Sequence, residues 1–274
     1  MRKMIALLAL GACLMSAPSA RADLDAFLRG CNSPDTDAER AVELCTLALK
    51  TGELGPTGEA QTFYTRGNAF LELGNTRLAL RDYDSAKKRD DSIFQIWEAR
   101  GRALFRLGRL PESYQSFARA LELNPNDRQA RLGRGAAAVA LGQPEEAMPD
   151  LEAAISEKPD DPTGYFHRAL AFIALDNKAQ AASSLDEVIA LSPRYARAYF
   201  LRGQLREEDR PSAALEDYDT AIELEPEDGR IYHARAKLLD AQGRREDANA
   251  DFRRAYELGI RDEQLNKRLL EIGG

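Results

Sequence analysis

The 274-residue sequence is poor in the side chains that carry most enzyme chemistry, with 2 histidines, 3 cysteines and 1 tryptophan. His167 and His233 fall in different segments, and neither has a cysteine or paired carboxylate at ligand spacing nearby. The sequence therefore offers no metal site, no catalytic residue and no cofactor motif. It also lacks an excess of basic charge: the formal net charge is −7, which argues against nonspecific nucleic-acid binding. Long apolar runs are missing as well. The longest, Met4 to Met15, is well short of the roughly 20 residues that a membrane-spanning helix needs.

That apolar run follows a short basic start, Met1 to Lys3, and precedes Ala20-Arg21-Ala22, a small-residue cleavage signal. Residues 1–22 read as a secretory signal peptide cleaved after Ala22, giving a periplasmic or secreted protein with no transmembrane segment after processing. The alternative is a lipoprotein anchored through Cys13, because Leu10-Gly11-Ala12-Cys13 resembles a lipobox. Cleavage after Ala22 removes Arg2, Lys3 and Arg21 but no acid, moving the net charge from −7 to −10. Cys31 and Cys45 would remain. An even pair in an exported chain reads as a disulfide; the other reading makes Cys45 a small buried residue on a helix face.

Internal repetition decides the architecture. Arginine recurs at Arg66, Arg100, Arg134, Arg168, Arg202 and Arg235, at intervals of 34, 34, 34, 34 and 33. A Gly or Ala follows each one. A small residue recurs at Ala79, Ser113, Ala147, Ala181, Ala214 and Ala248, and a large one four later at Tyr83, Phe117, Leu151, Leu185, Tyr218 and Phe252. Each period reads as two helices. The first carries an aromatic four residues before the Gly/Ala position, at Phe63, Trp97, Tyr165, Tyr199 or Tyr232, on the same face. A turn follows at Gly74, Gly108, Gly142 or Gly243. The second helix has a narrow small-large-small stripe that admits a close neighbour, and Pro125, Pro159, Pro193 or Pro226 ends it.

These columns resemble the tetratricopeptide repeat, and the chain looks like an exported bacterial member of that family. The resemblance implies an all-α, right-handed superhelical solenoid of antiparallel helix pairs that binds other proteins. It covers six units, 60–93, 94–127, 128–161, 162–195, 196–228 and 229–262. Arg131 replaces the aromatic of the third unit, Asp91 and Ile260 replace the terminal proline, and the fifth unit lacks one residue near Arg210, so its first helix or turn should be shorter. Residues 23–59 read as a degenerate N-terminal repeat, with a short helix over Leu24 to Arg29, a second bearing Ala41, Cys45 and Ala48, and a long loop from Thr51 to Gly58. Residues 263–274 read as a capping helix whose Leu265, Leu269 and Ile272 cover the last repeat while Glu263, Lys267 and Arg268 face water.

Three other motifs have bland readings. Gly133-Arg134-Gly135 matches part of a dinucleotide fingerprint but follows no strand, so the glycines read as packing residues. Asp82-Tyr83-Asp84 and Asp217-Tyr218-Asp219 place their acids on different helix faces with the tyrosine buried. The arginine column could form a ladder for an anionic ligand, but Asp82, Asp150 and Asp251 stand 16 residues after their arginines, Asp217 stands 15 after, and Ser116 and Ser184 take that place elsewhere. This spacing favours structural pairs between helices. Pro149 inside a second helix should bend or weaken it.

The family resemblance places a partner groove on the first helices. Its candidate binding residues are Tyr64, Asn68, Arg102, Phe105, Leu132, Phe166, His167, Leu170, Phe200 and Gln204, with Leu201 and Ile173 divided between groove and packing. Members that bind chaperone carboxylates carry a lysine and asparagine set, of which only Asn68 is present, with Tyr64 at the lysine place. The expected function is a protein-interaction scaffold or adaptor of the cell envelope that binds a protein or peptide partner and is not an enzyme. The alternatives are a glycan-binding envelope protein using Tyr64, Trp97 and Phe105, or the substrate-recognition part of an enzyme complex. No oligomeric state is assigned.

Overall fold

Helix boundaries follow the small-large-small columns. The computed structural model describes residues 19–273; the basic and apolar parts of the expected leader, and Cys13, lie outside the described residues. Among the described residues all regular structure is helical. The contacts divide the chain into an N-terminal body ending at Leu107 and a C-terminal body beginning at Gly108. The first holds α1 (Ser19–Cys31), α2 (Ala38–Lys50), α3 (Pro56–Glu72), α4 (Thr76–Arg89) and α5 (Phe94–Arg106). The second holds α6 (Leu110–Leu123), α7 (Arg128–Ala140), α8 (Pro144–Glu157), α9 (Pro162–Ala174), α10 (Lys178–Leu191), α11 (Ala196–Arg206), α12 (Pro211–Leu224), α13 (Gly229–Ala241), α14 (Arg245–Glu257) and α15 (Glu263–Gly273).

Within each body, a helix packs against the next one in sequence. The second helices bury their stripe almost completely, as with Ala79, Tyr83 and Ala86 on α4 or Ala214, Tyr218 and Ala221 on α12. Close approach depends on the facing column. A Cβ added at Gly67 would lie 2.6 Å from Tyr83 Cε1, and one at Gly203 would lie 2.7 Å from Tyr218 Cε1. The two glycines around Arg134 serve the same purpose twice: Gly133 receives the Phe117 ring of α6, while Gly135 receives Leu151 of α8. The dinucleotide-like pattern is thus a packing device between three helices.

The turns inside the repeats follow from left-handed residues. After α3, Gly74 has φ +74°, with Asn75 N–H donating to Phe70 C=O at 2.8 Å. Gly142 and Gly243 repeat this, and Asp176 (φ 53°) takes the place in the fourth repeat, where its short polar side chain tolerates the conformation. The fifth repeat lacks that residue, and α11 is 11 residues long, against 13 for α9 and α13. Between repeats, the proline stop is followed by an aspartate that starts the next helix: Asp127, Asp161 and Asp228 accept from the N–H groups of Gln129, Thr163 and Arg230. α8 continues as one helix through the exposed Pro149, which removes only its own backbone donor.

Several expected boundaries are corrected. The first helix of the degenerate repeat is the 13-residue α1 rather than a short Leu24–Arg29 segment. The following loop stops at Gly55, because Pro56, with its fixed φ and absent N–H, suits the first position of α3. Cys31 and Cys45, both buried, stand with Cα atoms 5.0 Å apart and their sulfurs in disulfide geometry. At the other end Leu265 is fully buried against α13 and α14, Leu269 packs on the same cluster, and Glu263 and Lys267 are exposed. Arg268 does not face water: it turns back to Asp240 at 2.7 Å. The Ile272 side chain lies outside the described residues.

Two glycines of α3 make opposite predictions. Gly67→Ala gains helix propensity of about 1 kcal/mol but drives a methyl into the fully buried Tyr83 ring, so the variant should lose roughly 1–2 kcal/mol net. Gly58→Ala, whose Cβ would meet only Leu54 at 3.4 Å, should be neutral or stabilising. Urea unfolding of the two variants checks this contrast.

Candidate functional site

Two sets of first-helix residues were candidates, the arginine column and the groove face. Every arginine of the column has a partner within the protein. Arg66 forks onto Asp82 through Nε and Nη2 at 2.7 and 2.8 Å, and Arg134 onto Asp150 and Arg235 onto Asp251 in the same way. Arg202 forks onto Asp217, and Arg168 reaches Ser184 Oγ at 3.1 Å. The aspartates are buried, so the guanidinium is their compensating charge. Such pairs add little net stability over apolar packing, but removing one partner costs about 3–5 kcal/mol.

The fork has a third tine that spacing alone did not reveal. Nη1 of Arg202 turns back to Asp186 at 2.6 Å and that of Arg235 to Asp219, both on the preceding repeat's second helix, and Arg66 Nη1 reaches Thr46 on α2. Arg100 meets Asp84 through Nε at 2.7 Å. Each Asp-Tyr-Asp motif therefore serves two repeats, the first acid holding its own arginine and the second acid the next one. A backward spacing of 16 residues was the available signal, the mirror of the forward one. The column aromatics lie over the same guanidinium groups, with Arg66, Arg168, Arg202 and Arg235 5.2–5.8 Å from the rings three residues before them.

The groove candidates divide. In the N-terminal body Tyr64, Asn68 and Phe105 are half-buried and Arg102 is exposed. Tyr83 OH donates to Asn68 Oδ1 at 2.8 Å, and Arg102 Nε meets Glu98 at 2.8 Å. Asn68 and Arg102 come together around a cavity of about 300 Å³ that Leu71, Glu72 and Arg106 also line. In the C-terminal body two candidates are core residues, which corrects the expected exposed strip. Leu132 and Phe166 are each only 4% exposed, Leu132 against Ala147 and Leu151, Phe166 against Leu185, Val188 and the Tyr195 ring at 5.0 Å. Both stand two places before their arginine, a place that is covered in the third and fourth repeats, whereas Phe200 at the same place in the fifth is half-buried. Leu170, His167 and Phe200 are half-buried, Phe200 beside Tyr218, and Gln204 is exposed. Trp97 is half-buried, with Lys87 over its ring and its N–H on Asp91 C=O.

Among the described residues no cluster of three or more His, Cys, Asp or Glu is arranged to hold a metal, and no helix is long and apolar enough to cross a membrane. His233 Nε2 lies 3.1 Å from Asp262, which also accepts from the Leu265 N–H at the start of α15. The pattern of the tetratricopeptide repeat matches residues 64–127, 99–162 and 166–210, more than half of the chain. The chain belongs to the tetratricopeptide-repeat family. Its fold is similar to that of a tetratricopeptide-repeat protein from Parabacteroides merdae (TM-score 0.70, 20% identity, 92% of this chain and 98% of that one). It is similar also to YrrB, described as a tetratricopeptide-repeat protein with an unusual peptide-binding site (TM-score 0.55, 23% identity, 71% and 98%). A third is a thermophilic tetratricopeptide-repeat protein of Thermus thermophilus (TM-score 0.54, 26% identity, 65% and 98%). No curated protein matches the sequence.

Burial, aided by the Arg197 charge, brings the pKa of His167 down from 6.5 to about 4. The folded protein keeps this ring neutral where the unfolded chain protonates it. Its contribution is complete above about pH 6.5 and is lost as pH falls toward 4. At about 1.4 kcal/mol per unit, the loss is bounded by roughly 3 kcal/mol and reduced because the ring is half-buried. Thermal melts of wild type and His167→Gln from pH 7 to 4 should show the stability gap narrowing with acid; a constant gap would contradict this assignment.

Proposed function

We propose that this tetratricopeptide-repeat chain is a non-enzymatic adaptor of the cell envelope, exported by residues 1–22, that holds a protein or peptide segment on the face of its first helices. Proteins of the family are generally protein-interaction scaffolds. The observation that carries the reading to this chain is a contrast between its two sets of first-helix residues. The arginine column is taken up by its own carboxylates, or at Arg168 by Ser184, whereas Asn68 and Arg102 in the N-terminal body keep accessible polar groups on the face of Tyr64 and Phe105, as Gln204 does on the face of Phe200 in the C-terminal body. That mixture of rigid aromatic surface and unengaged donors suits an extended or helical segment. The peptide-binding site named for YrrB supports the same use of the fold. Export is supported by the leader pattern and by two buried cysteines placed for oxidation at the N-terminal repeat.

The test is peptide selection on the full mature chain, followed by hydrogen exchange with the selected peptide. Slowed exchange is expected in α3, α5, α9 and α11. Protection confined to the second helices α4, α8, α10 and α12 would place binding elsewhere. For export, the protein recovered from the periplasm of a bacterial host should begin at Asp23 and take up thiol reagent at Cys31 and Cys45 only after reduction.

A further inference from the structure

One seam of the C-terminal body lacks the side chain that plugs the others. In the five repeats that have a successor, the residue three places before the large stripe residue is Leu80, Tyr114, Met148, Ala182 or Leu215. Leu80 packs with Leu104, Tyr114 and Met148 pack on the cluster that holds Ala138 and Ala171, and Leu215 packs on the cluster that holds Leu239. At Ala182 this column falls to a methyl group. Arg206, four residues after its column arginine, also takes the place that Leu104 and Leu239 hold in their helices, and it is bound to Asp217 at 2.9 Å. Between α10 and the end of α11 lies a cavity of about 460 Å³ with Ala179, Ala182 and Leu205 among its walls. Roughly 150 Å³ is enough to hold a benzene ring. On the rim Lys178 is bound to Glu208 at 2.7 Å, whereas Asp209 and Arg210 are exposed and make no side-chain ion pair or hydrogen bond among the described residues.

The same body carries a large apolar side chain that nothing covers. Leu270 of α15 is 80% exposed, more than any other large apolar residue among the described ones. It stands opposite the cap: Leu265 and Leu269 hold the inner face of α15, whereas Glu263, Lys267 and Leu270, at i, i+4 and i+7, form one outer stripe. Glu263 and Lys267 are exposed and make no ion pair or hydrogen bond through their side chains among the described residues. We propose that a second copy of this chain supplies the missing plug, its Leu270 seated in the cavity over Ala182, its Lys267 against Asp209 and its Glu263 against Arg210. Leucine is the residue that fills this place at Leu80 and Leu215, so it matches the space left at Ala182. An apolar residue of another protein could match the space alone; the paired charges single out this chain. The cavity and α15 are different surfaces, and each copy offers one of each. The contact is therefore heterologous and builds a ring or an open chain, not a two-fold dimer. Exposed ion pairs contribute little, so the association is weak and depends on concentration.

The test is sedimentation velocity of the full mature chain over rising concentration, where the mean mass should climb past that of a dimer. Ala182→Leu, which restores the plug of the other seams, and Leu270→Lys, on an exposed surface, should each stay monomeric and melt no earlier than wild type. Mixed together, the two variants should form a one-to-one dimer and nothing larger, because one keeps the leucine and the other keeps the open cavity. Asp209→Lys should weaken self-association about threefold, and Lys267→Glu in the same chain should restore it. A wild-type chain that stays monomeric at every concentration, or a mixture of the two variants that gives no dimer, would overturn the proposal. So would an Ala182→Leu variant that associates as wild type does. Leu270→Lys alters no packed residue, so association that survives it also overturns the proposal, even where Ala182→Leu disturbs the fold.

Discussion

The structure hangs on buried carboxylates at the seams of four of its helix pairs. Asp82, Asp150, Asp217 and Asp251 sit within their second helices at 3–8% exposure, where a charge has almost no water to stabilise it. Each is tolerable because the arginine of the first helix brings a planar fork that satisfies both oxygens together. Lysine could neutralise the charge but could not fill both acceptors and still reach a third group. The guanidinium's remaining nitrogen is what turns a pairing inside one repeat into a link between neighbours. Polar chemistry here sets register, while the small-large-small stripes supply the burial.

That arrangement constrains where function can reside. First-helix positions facing the partner helix are held to Gly or Ala by a large facing side chain, and the arginine beside them is already bonded within the protein. The position two before the arginine is buried at Leu132 and Phe166 but only half-buried at Tyr64 and Phe200. What is left for a ligand is the next turn of the helix, where Asn68, Arg102, Arg106 and Gln204 stand. Tyr83 joins the two layers: its ring fills the space above Gly67 while its hydroxyl orients a groove residue.

Much of this was legible in the sequence, because contacts inside one helix pair recur at a fixed spacing. The helix pairs, the forward Arg/Asp links and the packing role of Gly133 and Gly135 follow from periodicity, and the proximity of Cys31 and Cys45 from an even pair of cysteines in a chain with an export leader. Contacts between repeats depend on how far one pair is rotated against the next, which the period of a single helix does not encode. The covered position of Phe166 and the return of Arg268 to Asp240 were missed for that reason, whereas the backward reach to Asp84, Asp186 and Asp219 left a spacing of 16 residues that went unread. The capping aspartates Asp127, Asp161 and Asp228 were readable from their place two residues after proline. The start of α3 was hidden because Gly55-Pro56 reads as a turn as readily as a helix entry.

The double use of the Asp-Tyr-Asp motif bears on how such an array can lengthen by tandem duplication. A copy of the first or fifth repeat brings both acids, Asp82 with Asp84 or Asp217 with Asp219, so the arginine before it and the arginine after it each find a partner. The sixth repeat differs. Arg253 stands where Asp219 would recur, and Leu269 on α15 stands where the next arginine would, packed on an apolar cluster instead. A copy of that repeat would set the exposed Arg253 beside an incoming arginine, two cations where the interior repeats pair a cation with an acid. Growth by duplication is therefore open to interior repeats with both acids and closed at the sixth, whose polar register has been converted to an apolar end.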